Sequence, residues 1–166
     1  MSTLSGRLYA DGATLLNQEP EAKQDVTLNY SRLRYISDGY TKSASDELGT
    51  SAVVNFFTMP KGARLIEMFA TAPTAGVTGE ADLGWDASVE TDEYGVVLEA
   101  ADADGFYTSD QFDPGDAAFT RKAIDSARPG YRKLFGAAVQ VTATVTEITA
   151  SSAADEWLLE AYITVD

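Results

Sequence analysis

The sequence contains no histidine and no cysteine, and these two absences exclude most of the side-chain chemistry that enzymes use. Without histidine there is no imidazole for general acid–base catalysis, for the usual triads or for most zinc sites. Without cysteine there is no thiol nucleophile, no ligand for an iron–sulfur cluster and no disulfide. The sequence therefore argues against catalysis more strongly than it argues for any one function.

Basic residues and long apolar segments are also scarce. Lys and Arg together number 12 against 26 Asp and Glu, which leaves a net charge of −14. Such a chain repels a phosphate backbone unless it has a local basic patch, and none is visible, so we expect no nucleic-acid partner. Nowhere do eighteen apolar residues follow one another, and the first thirty residues lack the apolar core of a secretion signal. We expect no membrane partner.

What remains is a chain of 166 residues, of which 45% are hydrophobic, enough for the core of one domain. Residues 1–25 are mostly polar with scattered large apolar side chains, and they predict an N-terminal arm. Such an arm lies either on its own domain or on a neighbour. Residues 26–166 have the texture of short strands separated by Gly, Pro, Asp and Ser, and they predict a single β-sandwich domain.

Several segments predict strands. They are apolar runs or alternate apolar and polar residues at a period of two, at residues 26–35 (with a bulge or bend near Ser31), 51–59, 63–70, 139–146 and 157–165. Residues 63–70 also fit a short helix, but Pro60 and Pro73 leave little room for one. We expect the last two strands to pair antiparallel, because a short connector joins them. Residues 117–127 predict one short helix.

These elements predict an all-β fold, an antiparallel β-sandwich of jelly-roll type with an N-terminal arm and at most one short helix.

Clustered carboxylates offer two chemical alternatives to an inert domain. One set of aspartates could surround calcium, although it lacks the spacing of an EF-hand, and solvated turns are the simpler interpretation: Asp102, Asp104, Asp110, Asp113 and Asp116. A second set near Trp85 contains pairs for glycoside hydrolysis: Glu67, Asp82, Asp86, Glu90, Asp92 and Glu93. A hydrolase of this size without a helical layer would be unusual. We therefore expect no catalytic residue, no metal site and no cofactor.

The candidate partner contacts are apolar residues of the arm together with two arginines and a tryptophan: Leu4, Leu8, Tyr9, Leu15, Leu16, Arg32, Arg34 and Trp85. Arg32 and Arg34 alternate along a strand, so both point the same way, towards an acidic neighbour or the chain's own carboxylates. Trp85 either fills the end of the sandwich or offers a flat contact. The acidity itself fits a saline habitat or a protein whose acidic face stays in solvent.

Two short motifs resemble the small virion proteins of tailed bacteriophages. They are the Pro-Lys-Gly-Ala turn within residues 57–68 and the Leu-Gly-Trp-Asp strand end within residues 82–88, followed by the closing alternating strands. The resemblance covers roughly residues 52–166 and leaves the arm unmatched.

The resemblance implies a capsid decoration, or cement, protein of jelly-roll type. Such proteins commonly sit as homotrimers on the capsid exterior and clamp neighbouring capsomers, so the implied partners are the major capsid protein and other copies of the chain. The implied location is the virion, assembled in the host cytoplasm. Two rivals stay open: a carbohydrate-binding module or tail-fibre domain that uses Trp85, and a hydrolase with a carboxylate pair.

Overall fold

A computed structural model of the chain describes residues 3–5, 33–41, 49–71, 78–112, 121–150 and 156–165. These residues form nine strands and no helix. The strands are β1 (Thr3–Ser5), β2 (Leu33–Thr41), β3 (Val53–Met59), β4 (Ala63–Thr71), β5 (Thr78–Trp85), β6 (Asp102–Tyr107), β7 (Lys122–Ala123), β8 (Val139–Ala150) and β9 (Glu156–Val165). Within these ranges, accordingly, there is no helix of the length and apolarity needed to cross a membrane.

The strands build two sheets, one with the order β1-β3-β8-β5-β6 and the other with the order β2-β9-β4-β7. Four antiparallel pairs are nested along the chain: β2 with β9, β3 with β8, β4 with β7, and β5 with β6. This nesting folds the chain into one long ribbon that rolls into two sheets, as in a jelly roll. The predicted all-β, jelly-roll-like sandwich is confirmed.

The turn at Pro60-Lys61-Gly62 moves the chain from the first sheet to the second. The amide of Ala63 donates to the Pro60 carbonyl at 3.0 Å, and Gly62 has a φ of 76°, which favours glycine. The strands β3 and β4 therefore lie in different sheets. The prediction of a strand over residues 63–70, in place of a short helix, is confirmed.

The two longest strands occupy the middle of their sheets. β8 lies between β3 and β5, and β9 lies between β2 and β4. The prediction that these two strands pair with each other is therefore wrong. Both long edges of each strand already pair with other strands, so β8 and β9 belong to opposite sheets and meet only through the core.

The core lies between the sheets and is built from the apolar residues that alternate along the strands. In β9, for example, Leu159, Ala161 and Ile163 are fully buried, and the residues between them are partly exposed. The largest fully buried side chains are aromatic or long aliphatic: Trp157, Tyr107, Phe56, Phe57, Phe106, Phe112, Phe135, Met59, Leu65, Met68, Leu83 and Leu159. Burial of this many large apolar side chains is the main stabilising contribution to the fold.

The predicted helix over residues 117–127 is wrong across its described part, residues 121–127. Here β7 pairs with Phe69 and Ala70 of β4, and the amide of Ile124 donates to the Met68 carbonyl at 2.8 Å. Ile124 is the buried residue of this stretch, so packing one side chain against β4 is enough to hold it extended.

Part of the predicted arm lies against the domain. β1 pairs in parallel with β3, with Leu4 opposite Val54. The other arm contacts, Leu8, Tyr9, Leu15 and Leu16, lie outside the described residues, as does Arg32.

Candidate functional site

The outward side of the second sheet presents a group of polar and aromatic side chains that we call the outer-face cluster: Tyr35, Phe69, Arg121, Glu160 and Tyr162. The strand register brings them together, because Tyr35 lies opposite Tyr162 and Phe69 lies opposite Glu160. Residues opposite each other in a sheet share one face, and the alternating neighbours of Tyr162 on β9, Ala161 and Ile163, point into the core.

Short contacts connect every member of the outer-face cluster. The Tyr35 and Tyr162 rings lie 5.2 Å apart, the Phe69 and Tyr162 rings 6.4 Å apart, and the Arg121 guanidinium 3.6 Å above the Phe69 ring. Glu160 joins both ends, accepting hydrogen bonds from the Tyr35 hydroxyl and from Arg121 Nε, each at 2.8 Å. One tilted and one edge-to-face ring pair, a cation over a ring and a shared carboxylate hold these side chains in one arrangement.

The pKa of the Tyr35 hydroxyl reflects its contact with Glu160. A hydrogen bond with Ser37 lowers the pKa of the Tyr35 hydroxyl, but the hydrogen bond to Glu160, partial burial and the negative charge of Glu160 outweigh it and raise the pKa above its usual value. Tyr35 is therefore a neutral hydrogen-bond donor at ordinary pH. The side chains of the outer-face cluster are engaged with one another, and the cluster is suited to contact, because tyrosine, phenylalanine and arginine are the residues enriched in protein interfaces.

The predicted partner contact Arg34 and its two neighbours on β2 differ in exposure. Arg34 lies opposite the buried Ile163 and is half-buried on the core side, whereas Leu33 and Tyr35 are each 53% exposed on the outer side. The prediction gave weight to charge alone. The useful signal was the apolar pair Leu33 and Tyr35 at alternate positions, which only the pairing of β2 with β9 assigns to the outer face.

Trp85 is a core residue and not a surface contact. It is 2% exposed, its Nε1 donates to the Ala100 carbonyl at 2.9 Å, and its ring lies 5.0 Å from that of Phe106 and 5.3 Å from that of Phe135. This burial does not agree with the prediction of Trp85 as a partner contact. It also removes the flat surface on which the carbohydrate-binding alternative depended.

One of the described aspartates of the first acidic set, Asp104, already has a cation. Arg128 donates to the Asp104 carboxylate at 2.7 Å and to the Asp104 carbonyl. This hydrogen bond lowers the pKa of Asp104, whereas burial, then the hydrogen bond with Asp104 and the charge of Asp104, raise the pKa of Asp102. Asp113 and Asp116 lie outside the described residues. Among the described residues, no group of three or more potential ligands could hold a metal ion.

Three of the six carboxylates proposed for hydrolysis have structural partners. Asp82 accepts a hydrogen bond from the Ser109 amide at 2.8 Å, and Asp92 accepts two from the backbone of its own turn. Glu90 forms an ion pair with Lys61 at 2.6 Å. Each of these three carboxylates therefore stabilises a loop, and the structure gives none of them the role of an acid or a nucleophile.

Comparison with known proteins gives a likeness of fold. No protein-family model and no curated protein matches the chain. Among solved structures, the chain is similar to one in "Capsid of Ralstonia phage GP4", with a TM-score of 0.65 and 10% identity over 99% of both chains. A chain in "Cyanophage Pam1 capsid asymmetric unit" has a TM-score of 0.49 and 13% identity over 81% of this chain and 84% of that one. The chain thus has, over almost its whole length, the fold of a chain in a phage capsid structure.

Proposed function

We propose that this chain is a structural virion protein that decorates and stabilises a bacteriophage capsid shell. One observation supports this most: the similarity to a chain of the Ralstonia phage GP4 capsid extends over 99% of both chains and is not confined to a part of either. The short motifs of residues 57–68 and 82–88 point independently to the same class of protein. The chain would lie on the capsid exterior after assembly in the host cytoplasm.

The chemistry of the described residues fits a protein that binds and does not react. Four of the carboxylates considered above are engaged in ion pairs or in hydrogen bonds to backbone amides: Asp82, Glu90, Asp92 and Asp104. The outer-face cluster combines rings, an arginine and a carboxylate as protein interfaces do. The net charge of −14 suits a surface that faces solvent on a dispersed particle. The partners proposed are the major capsid protein and other copies of this chain.

Self-association multiplies weak contacts. A homotrimer presents each shell contact three times, and its overall affinity exceeds that of one copy because the second and third contacts form at high effective concentration. We expect light scattering after size exclusion to give about three times the 17.8 kDa mass of one chain. A monomer at both low and high salt would mean that the trimer forms only when the chains bind the shell.

The shell-binding proposal is tested on particles. Particles from a culture that produces the chain are banded in a density gradient, and the fractions are probed with an antibody against the chain. We expect the chain in the particle band after repeated banding, in a fixed ratio to the major capsid protein. A chain found solely at the top of the gradient, with intact particles below it, would contradict the proposal.

The arm has its own test. We expect a chain without residues 1–25 to fold, because the described part of the arm contributes only the three-residue pairing of β1 with β3. We also expect that chain to attach poorly to shells, because Leu4, Leu8, Leu15 and Leu16 are lost. Unchanged thermal unfolding with unchanged attachment would show that the arm has no role in binding.

A further inference from the structure

The connection between β5 and β6 is a regular hairpin, which we call the exposed hairpin (residues 88–99). Backbone hydrogen bonds close it along its length: Ser88 N to the Glu99 carbonyl at 2.9 Å, Leu98 N to the Glu90 carbonyl at 2.9 Å, and Asp92 N to the Val96 carbonyl at 2.8 Å. A β-bridge joins Thr91 and Val97. The segment therefore has one defined backbone conformation, although it lies outside both sheets.

The side chain of Asp92 stabilises the turn of the exposed hairpin. The amide of Gly95 donates to the Asp92 carbonyl at 3.1 Å, and Gly95 has a φ of 78°, which is the pattern of a type I turn followed by a glycine bulge. The Asp92 carboxylate accepts hydrogen bonds from the amides of Tyr94 and Val96, each at 2.9 Å. Binding would thus require little further ordering of this backbone.

This rigid backbone presents large apolar side chains to solvent. Val89 is 96% exposed, Tyr94 is 81% exposed and Val96 is 60% exposed. The other exposed apolar residues of the hairpin and the neighbouring loop are Val97, Leu98 and Leu134. Single exposed apolar residues are common on any protein, but several on one ordered hairpin, at its tip and on both of its arms, are the feature of a contact surface.

Two ion pairs attach the exposed hairpin to the body of the sandwich. Lys133 Nζ lies 2.8 Å from Glu99, whose carboxylate also accepts a hydrogen bond from the Gly136 amide at 3.2 Å. Lys61 Nζ lies 2.6 Å from Glu90 at the other strand. These contacts connect the hairpin to the loops that precede β4 and β8.

The charge of the exposed hairpin defines its partner. Residues 86–99 contain five acidic residues and no Lys or Arg. Lys61 and Lys133 neutralise Glu90 and Glu99, which leaves Asp86, Asp92 and Glu93 as net negative charge around the apolar side chains. A second copy of this chain, itself at −14, would meet that charge with repulsion. The complementary surface is basic.

We propose that the exposed hairpin docks into an apolar recess bordered by Lys or Arg on a protein other than this chain. The inference rests on the proposed function, in which that protein is the subunit of the capsid shell. Val89, Tyr94 and Val96 enter the recess, and Glu93 with Asp92 faces its basic border. Trimer contacts then use other surfaces, such as the outer-face cluster.

The test uses particles from which the native chain has been stripped, and measures rebinding of labelled full-length chains. The triple variant Val89→Ser, Tyr94→Ser, Val96→Ser is compared with wild type and with Ile66→Ser, which removes an exposed apolar side chain from the second sheet. We expect the triple variant to bind at least about tenfold more weakly and Ile66→Ser to bind like wild type. Thermal unfolding checks that both variants are folded.

Each other result has a distinct meaning. Equal binding of wild type and triple variant, or equal loss in the triple variant and Ile66→Ser, overturns docking by the hairpin and leaves decoration intact. Failure of wild type to rebind overturns decoration, and the hairpin proposal with it. We further expect Glu93→Gln and added salt each to weaken binding; binding insensitive to both overturns the basic border.

Discussion

At the scale of single residues, Tyr107 joins the two sheets. It belongs to β6 of the first sheet, and its hydroxyl lies 2.9 Å from the Met68 carbonyl of β4 and 3.0 Å from the Lys122 carbonyl of β7 in the second. We expect Tyr107→Phe to lower the free energy of unfolding by about 1 kcal/mol, because the ring is kept and the hydrogen bonding is lost. Denaturant titration at neutral pH measures the change. An unaltered midpoint would mean that the hydroxyl contributes nothing.

The same hydroxyl predicts a pH dependence. Burial raises the pKa of Tyr107 well above its ordinary value of 10.0. Above about pH 10, the ordinary pKa of tyrosine, the unfolded chain releases the Tyr107 proton and the folded chain keeps it. The unfolded state then binds fewer protons than the folded state, so the free energy of unfolding falls as the pH rises. The expected loss is up to roughly 1.4 kcal/mol per pH unit. Because Tyr107→Phe lacks this proton, its stability deficit relative to wild type should shrink between about pH 10 and about pH 11; a constant deficit would contradict the burial.

Gly105 is required by the packing of Trp85. A Cβ at this position would lie 2.1 Å from Cζ3 of the indole ring, and the ring is fixed between Phe106 and Phe135. We expect Gly105→Ala to destabilise the fold by about 1–3 kcal/mol. Gly49→Ala is the matched control, since its Cβ would meet nothing within 4 Å, and it should change stability by less than about 1 kcal/mol. Equal effects of the two substitutions would refute the packing argument.

At the scale of elements, the exposed hairpin depends on Asp92. Replacement by Ala removes the acceptor for the amides of Tyr94 and Val96, and we expect the turn to open more often at a cost of about 1 kcal/mol. Hydrogen exchange at the amides of Val96 and Leu98 should then become roughly fivefold faster. Glu93→Ala removes the same charge one residue further along the turn, and it should leave these rates unchanged. Faster exchange in both variants would indicate a charge effect.

For the two longest strands, element identity was readable from the sequence, but their partners were not. The alternation of apolar residues in β8 and β9 predicted both strands, because burial on one face imposes a period of two. The same alternation does not specify which strand each of them pairs with. In the nested order the first strand of the ribbon pairs with the last, so the neighbours β8 and β9 face each other across the core.

The outer-face cluster was less predictable, because it too depends on which strands pair. The outer-face cluster draws its side chains from β2, β4 and β9 and from Arg121 ahead of β7, and only the register brings these residues together. The burial of Trp85 depends on the glycine of β6 that lets the ring approach, again a contact between distant segments. The exposed hairpin was local in sequence, with Gly95 at its turn, yet the exposure of Val89 and Val96 required the structure.

At the scale of the whole molecule, the net charge of −14 should make stability depend on salt. Like charges repel in the compact state, and added salt screens them. We expect the unfolding temperature to rise with NaCl and with KCl alike, by roughly 2–4 °C for each kcal/mol of repulsion removed. Differential scanning calorimetry measures it. No change, or a rise with one salt alone, would exclude general screening as the cause.

The claim that this chain is a shell protein is tested most directly by electron cryomicroscopy of particles from a culture that produces it. We expect density for the two-sheet sandwich on the outside of the shell, in threefold groups, with residues 88–99 against the shell subunit. Complete shells whose density leaves no place for this fold, outside or inside, would contradict the account.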